Sequence, residues 1–103
     1  MSRLEQLQTM LVSDPEDAFL NYALALEFDK LEQHDDSLDI FARLVQYDPP
    51  YVPAFFMAGQ MLSRLDRNDE ARQYLEQGIV EARRQGNAHA AGEMTEFLEM
   101  IGD

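Results

Sequence analysis

The sequence has no cysteine, no tryptophan, one lysine, four prolines and five glycines. Without cysteine there is no disulfide framework, no thiolate nucleophile and no cysteine-ligated zinc, and the chain suits a reducing compartment, so a cytoplasmic location is expected. No apolar run approaches the length that spans a bilayer. The start, Met1-Ser2-Arg3-Leu4-Glu5, mixes charge with leucine and has no apolar h-region of a secretory signal. There is no glycine-rich phosphate loop and no Gly-x-Ser-x-Gly elbow around any of the four serines. Positive charge is scarce, with 8 basic against 20 acidic residues and a net charge of -12. The imbalance is steepest in residues 1–50, which hold 11 acids and 3 bases. Phosphate backbones and anionic membranes are repelled by such a surface, so neither nucleic acid nor membrane is expected as a partner, whereas a basic protein segment is drawn to it. The same acidity also serves solubility, and with seven arginines to one lysine it is compatible with a salt-adapted source.

What is present is apolar content in helical rhythm. At 103 residues, 46% hydrophobic and 27% charged, the chain is one small soluble domain. A chain of this size buries roughly 60 to 65% of the surface it would expose unfolded. Leu4, Leu7 and Leu11 share one face of a short helix over residues 2–13. Asp14 is expected to cap the next helix, with Pro15 at its first position, where a missing N–H costs nothing. From Pro15 to about Leu31, Leu20, Leu24, Phe28 and Leu31 make one stripe and Phe19, Tyr22, Ala23 and Leu26 a second, so this helix is packed on two sides or shows one of them to a ligand. Glu32-Gln33-His34-Asp35-Asp36 reads as a polar turn that caps a third helix carrying Leu38, Phe41, Leu44 and Val45. The proline-rich stretch from Asp48 to Pro53 breaks the chain, and Pro53 is placed to open a fourth helix. Ala54, Phe55, Ala58, Gly59, Met61, Leu62 and Leu65 define that helix. Ala71, Tyr74, Leu75, Gly78 and Ile79 define a fifth. After Gln85-Gly86-Asn87, with Asn87 as cap, Ala91, Met94, Leu98 and Ile101 form the stripe of a sixth, which Gly102 ends.

Two of these stretches are copies. Asp14-Pro15 returns as Asp48-Pro49 after 34 residues, the period of a helix-turn-helix repeat. Ala25, Ser37, Gly59 and Ala71 are small where two helices must cross closely, and Phe28, Phe41, Leu62 and Leu75 are large where gaps between repeats must be filled. The turn from Lys30 to Asp36 matches that from Arg64 to Glu70 in chemistry. On these residues the chain resembles the tetratricopeptide repeat family over residues 14 to about 82. The resemblance implies an all-α fold, a short right-handed superhelix of helix-turn-helix repeats closed by a C-terminal capping helix. Repeat 1 takes residues 14–47, repeat 2 takes 48–81, the helix at 2–13 is a half-repeat, and the cap takes 87–101. Three departures stand out: Asn21 replaces a bulky residue, Glu32 and Asp66 replace the usual turn glycine, and Leu44 replaces a small residue. Ala91-Gly92 imitates Ala58-Gly59.

No constellation points to catalysis. His34, Asp35 and Asp36 are adjacent at a helix start and aim in different directions, and capping accounts for the aspartates. His89 and Glu93 lie one turn apart without the second histidine of a zinc motif. No metal, cofactor or enzymatic activity is expected. The resemblance implies instead a protein or peptide partner held in the concave groove, lined by Phe19, Tyr22, Leu26 and Asp29, then Pro53, Phe56, Gln60 and Ser63, then His89, Glu93 and Glu96. Its floor is apolar and its flanks acidic, which suits an apolar segment that is basic or neutral. The places where family members grip a C-terminal carboxylate hold Tyr22, Leu26, Met57, Gly86 and Ala90, so that clamp is expected to be absent. The alternative is a structural protein whose groove is filled by its own copy, a homodimer, or by its own cap helix.

Overall fold

A computed structural model describes residues 1–102. Among them are six helices and no strand: α1 (Arg3–Ser13), α2 (Ala18–Lys30), α3 (His34–Leu44), α4 (Val52–Arg64), α5 (Asn68–Arg84) and α6 (Ala88–Ile101). Each packs chiefly on its neighbours in sequence, and the molecule measures 41 × 29 × 18 Å. This is the layout of a helical repeat solenoid.

The crossings fall where the small residues are. Ala25, Ser37 and Ala71 are fully buried, and Ser37 Oγ–H donates to the Ala25 carbonyl at 2.7 Å, so the hydroxyl is satisfied. A methyl group built on Gly59 would stand 2.8 Å from Leu75 Cγ, inside ordinary contact distance. Phe41, Leu62 and Leu75 are fully buried, while Phe28 is only half-buried. Two apolar clusters result. One joins α1 to α4 through Leu7, Leu24, Ile40, Phe41, Leu44 and Met61, and the other joins α4 to α6 through Phe55, Leu75, Ile79, Ala82, Ala91 and Met94. Burying such side chains contributes about 1.5 to 3 kcal/mol each against leaving them exposed.

The helix ends differ from the expectation in two places. Asp14 does not cap α2, and Pro15 is not in it: the helix starts three residues later, where the Asp17 carboxylate accepts from the Leu20 N–H at 2.7 Å. Asp14 and Pro15 instead form a turn closed by Asp17 N–H to the Asp14 carbonyl, and the buried Asn21 amide donates to the Pro15 and Asp17 carbonyls at 3.0 and 2.9 Å. Asn21, which breaks the family pattern, is the residue that ties this turn down. Nor do Asp35 and Asp36 cap α3. Gln33 occupies the cap position without a side-chain bond, and the two aspartates lie in the first turn, where they face the positive end of the helix dipole.

The connections repeat one device. Glu32 and Asp66 have φ of 63° and 60°, in the left-handed region, and Gly86 has 78°. In each case the next residue reaches back to a carbonyl in the last turn: Gln33 to Phe28, Arg67 to Leu62 and Asn87 to Ala82. That is a Schellman ending, and it explains why a glycine is usual at those places. Asn87 also caps α6, accepting from the Ala90 N–H at 3.0 Å.

Candidate functional site

Three helices, α2, α4 and α6, share one face of the solenoid. There a pocket of about 340 Å³ is lined by Tyr22, Val52, Pro53, Phe56, Met57, Asn87, His89, Ala90, Glu93 and Met94. A smaller notch of about 180 Å³ adjoins the same wall, lined by Phe56, Glu93, Glu96, Phe97 and Met100.

Six of the eleven sequence-derived groove residues meet here: Tyr22, Pro53, Phe56, His89 and Glu93 at the pocket, and Glu96 at the notch. The other five stand elsewhere. Phe19 is 65% exposed and lines neither space. Leu26 packs against the first apolar cluster. Asp29 is engaged: its carboxylate accepts from Arg64 at 2.5 Å and meets His34 Nδ1 at 3.1 Å, which ties α2 to α4 and to the start of α3. Gln60 and Ser63 are half-buried and lie outside both spaces. The pocket also includes Asn87, read from the sequence as a cap, Met94, read as part of the packed stripe, and Val52, which had no assigned role, together with Met57 and Ala90. Those last two stand at the register places of the family's clamp, which was the available signal for them.

The aromatic residues are set by packing. Tyr22 is half-buried between Phe41 and Tyr51, with ring centroids 6.3 and 5.4 Å away. Burial pushes its phenol above the ordinary 10.0, with Tyr51 adding to the effect, so it stands neutral at physiological pH and can donate a hydrogen bond. Phe56 is half-buried, and Phe97 of α6 meets it edge to face at 5.9 Å. Phe55, one residue earlier, is 4% exposed and belongs to the second core. The 100° step between successive helical residues separates their roles.

The rim carries negative charge only. Neither space is lined by lysine or arginine, while Glu93 lines both and Glu96 the notch. His89 Nε2 is 3.5 Å from Glu93 Oε1, with its side chain largely in solvent. Among the described residues no three histidine, aspartate or glutamate side chains are grouped closely enough to hold a metal ion, and no helix is long and apolar enough to cross a membrane.

The fold is that of a helical repeat protein with a pocket on one face. Comparison with known proteins names the kind. Residues 52–79 match the family model for the tetratricopeptide repeat. The chain is 37% identical to a tetratricopeptide repeat domain protein from Salinibacter ruber whose solution structure superposes with a TM-score of 0.80, covering 86% of this chain and 90% of that one. A protein from Bordetella parapertussis, also solved in solution, is 26% identical with a TM-score of 0.82 over 98% of this chain and 88% of its own. A TPR repeat-containing protein of Pseudomonas aeruginosa is 28% identical over 98 residues, 95% of this chain and 93% of that protein. The chain belongs to the tetratricopeptide repeat family, whose domains are in general non-catalytic protein–protein interaction modules.

Proposed function

We propose that the protein is a cytoplasmic binding module that holds one segment of a protein partner, apolar with positive or no charge, in the groove between α2, α4 and α6. One observation supports this most: an apolar pocket of about 340 Å³ with partly exposed Tyr22, Phe56 and Met57 and a rim that holds Glu93 but no lysine or arginine. Its volume is that of a small ligand site or of one to two anchoring side chains. Aromatic anchors in a desolvated pocket carry most of the energy in such contacts. The rim carboxylates and the net charge of -12 select against acidic segments and speed encounter with basic ones. A carboxylate clamp is absent from the reading, because Tyr22, Met57 and Ala90 offer no cation to a C-terminal carboxylate.

The test uses a random peptide phage library panned on the immobilised protein, followed by mapping of selected synthetic peptides by NMR. The expected peptides move the signals of Tyr22, Phe56 and Met57, and Phe56→Glu loses them while remaining helical. Because Phe56 packs on Phe97, that variant should also lose about 1 kcal/mol of stability. Phe55→Glu, a charge in the core, should fail to fold. Selected peptides that bind Phe56→Glu as well as the original, or that map to the opposite face, overturn the proposal. The second reading, a groove occupied by a second copy, predicts a dimer by sedimentation that Phe56→Glu converts to monomer.

A further inference from the structure

We infer that the groove has two compartments and that the notch takes an arginine side chain of the partner, one helical turn from the apolar residue seated in the pocket. This rests on the groove reading above and specifies its ligand.

Phe56 and Glu93 line both spaces, so a ligand that fills the pocket runs directly past the notch. The notch joins three apolar groups to two carboxylates. Phe56 and Phe97 meet at 71° with centroids 5.9 Å apart. Such a pair uses the edge of one ring and one face of the other, which leaves a ring face for a third group. Met100 beside them is 79% exposed, an apolar side chain with nothing covering it. Glu93 and Glu96 are three residues apart on α6, and so on one side of it. Neither is neutralised by a permanent cation: the nearest base to Glu93 is the exposed His89, and Glu96 has no ion pair among the described residues. Two like charges one turn apart repel, and a cation placed between them removes that repulsion and gains attraction to both.

Arginine fits this combination better than lysine. Its planar guanidinium stacks on an aromatic face and offers paired N–H donors to carboxylates, while its stem covers the thioether and ring edges. A lysine would satisfy the charge and could sit over a ring, but it has no plane to stack and no paired donors to offer at the same time. A neutral residue would leave two carboxylates facing apolar surface. The partner segment is therefore one with a bulky aliphatic or aromatic residue and an arginine at helical spacing, in either order.

The probes are synthetic helical peptides of about twelve residues on an Ala/Gln host. Each carries one leucine and, four residues before or after it, arginine, lysine or the uncharged isostere citrulline. Binding is followed by NMR through the methyl groups of Met57, Met94 and Met100. In the better of the two orders, the arginine peptide should bind about tenfold more tightly than the citrulline peptide at low salt, with lysine between them. Glu96→Gln should shrink the arginine preference over citrulline to about twofold. Equal affinity for arginine and citrulline peptides, with Met57 signals moving, overturns the arginine compartment and leaves the groove standing. A preference that Glu96→Gln does not alter overturns it as well. No movement of the Met57 and Met94 signals with any peptide overturns the groove reading and this inference together.

Discussion

Replacing Gly78 by alanine adds one methyl group where α5 closely approaches Phe55 of α4 and Met94 of α6. A Cβ there would lie 2.5 Å from Phe55 Cβ and 2.6 Å from Met94 Sδ. Carbon atoms in good contact stand at about 3.5 to 4.0 Å, so the surroundings must give by about 1 Å. Met94 can rotate its sulfur away. Phe55 Cβ cannot, because it is bonded to the backbone of α4, and the two helices must part. Overpacking of this kind costs about 1 to 3 kcal/mol, and a rigid obstacle places it at the upper end. Against this, alanine is a better helix former than glycine by about 1 kcal/mol. The net expectation is a loss of about 1 to 2 kcal/mol. Gly92→Ala is the matched control: it lies within α6, is exposed and has no neighbour within 4 Å, so only the propensity gain of about 1 kcal/mol remains. Urea unfolding followed by far-UV circular dichroism, with unchanged m values, would read both. In a domain this small each kcal/mol moves Tm by about 4 to 8 °C. Gly78→Ala at or above the stability of the original would refute the close crossing. A loss at Gly92→Ala would show that the outer face of α6 is covered in solution.

Glu32→Gly should raise stability by about 0.5 to 1 kcal/mol, because it removes a Cβ from a left-handed position at φ 63°, partly offset by the entropy of glycine in the unfolded chain. Asp66→Gly should gain less, since aspartate tolerates that region better than glutamate, and the reverse order in thermal melts would refute the strain argument. The Glu70 and Glu81 carboxyls are held below the ordinary 4.5 by hydrogen bonds from Arg67 and Arg84, with Gln85 adding to the latter, and that of Glu5 by the Ser2 N–H and hydroxyl. A depressed carboxyl stabilises the fold above its unfolded value. Their contribution should thus be whole above about pH 4.5 and fade as pH falls through the folded values, more weakly in Glu70→Gln, as acid titration by circular dichroism would show. At the other end, burial holds the Tyr22, Tyr51 and Tyr74 phenols above 10.0. The stability they lend is present below about pH 10 and lost as pH rises past their folded values, and spectrophotometric titration should find these tyrosines ionising late.

The fold was legible because repeats write it twice. A 34-residue return of small and large residues constrains where helices cross, and Ala25, Ser37, Gly59 and Ala71 are all buried. The turn positions were legible for the same reason: Glu32 and Asp66 stood where a glycine is usual, and both have positive φ. The start of α2 was misread because Asp14-Pro15 is by itself a good cap and first residue. The competing cap, Asp17, prevails through a contact outside that local pattern, the Asn21 amide on the Pro15 carbonyl. Register alone aims Tyr22 and Phe56 at the face where the pocket lies. It gives no sign that the Asp29 carboxylate is held by Arg64, 35 residues away. No periodic pattern shows an ion pair between repeats.

One wall of the pocket, α6, also packs in the second core, and that would join the proposed binding to stability. α6 buries Ala91 and Met94 in the second core, while Ala90 and Glu93, each one residue before them, line the pocket together with Met94 itself. A segment seated there touches α2, α4 and α6, and so both apolar clusters at once. Within the first cluster one helix contact is thinner, since α3 packs less extensively on α4 than α2 does on α3 or α4 on α5. In a linear array, separation between repeats is resisted only by the nearest-neighbour interface. A ligand that binds only the closed arrangement adds RT ln(1 + [L]/Kd), about 2.7 kcal/mol at a hundredfold excess over Kd, to the free energy of opening. The thin α3–α4 junction is therefore where occupancy of the groove would be felt most strongly, although the pocket itself contains no residue of α3.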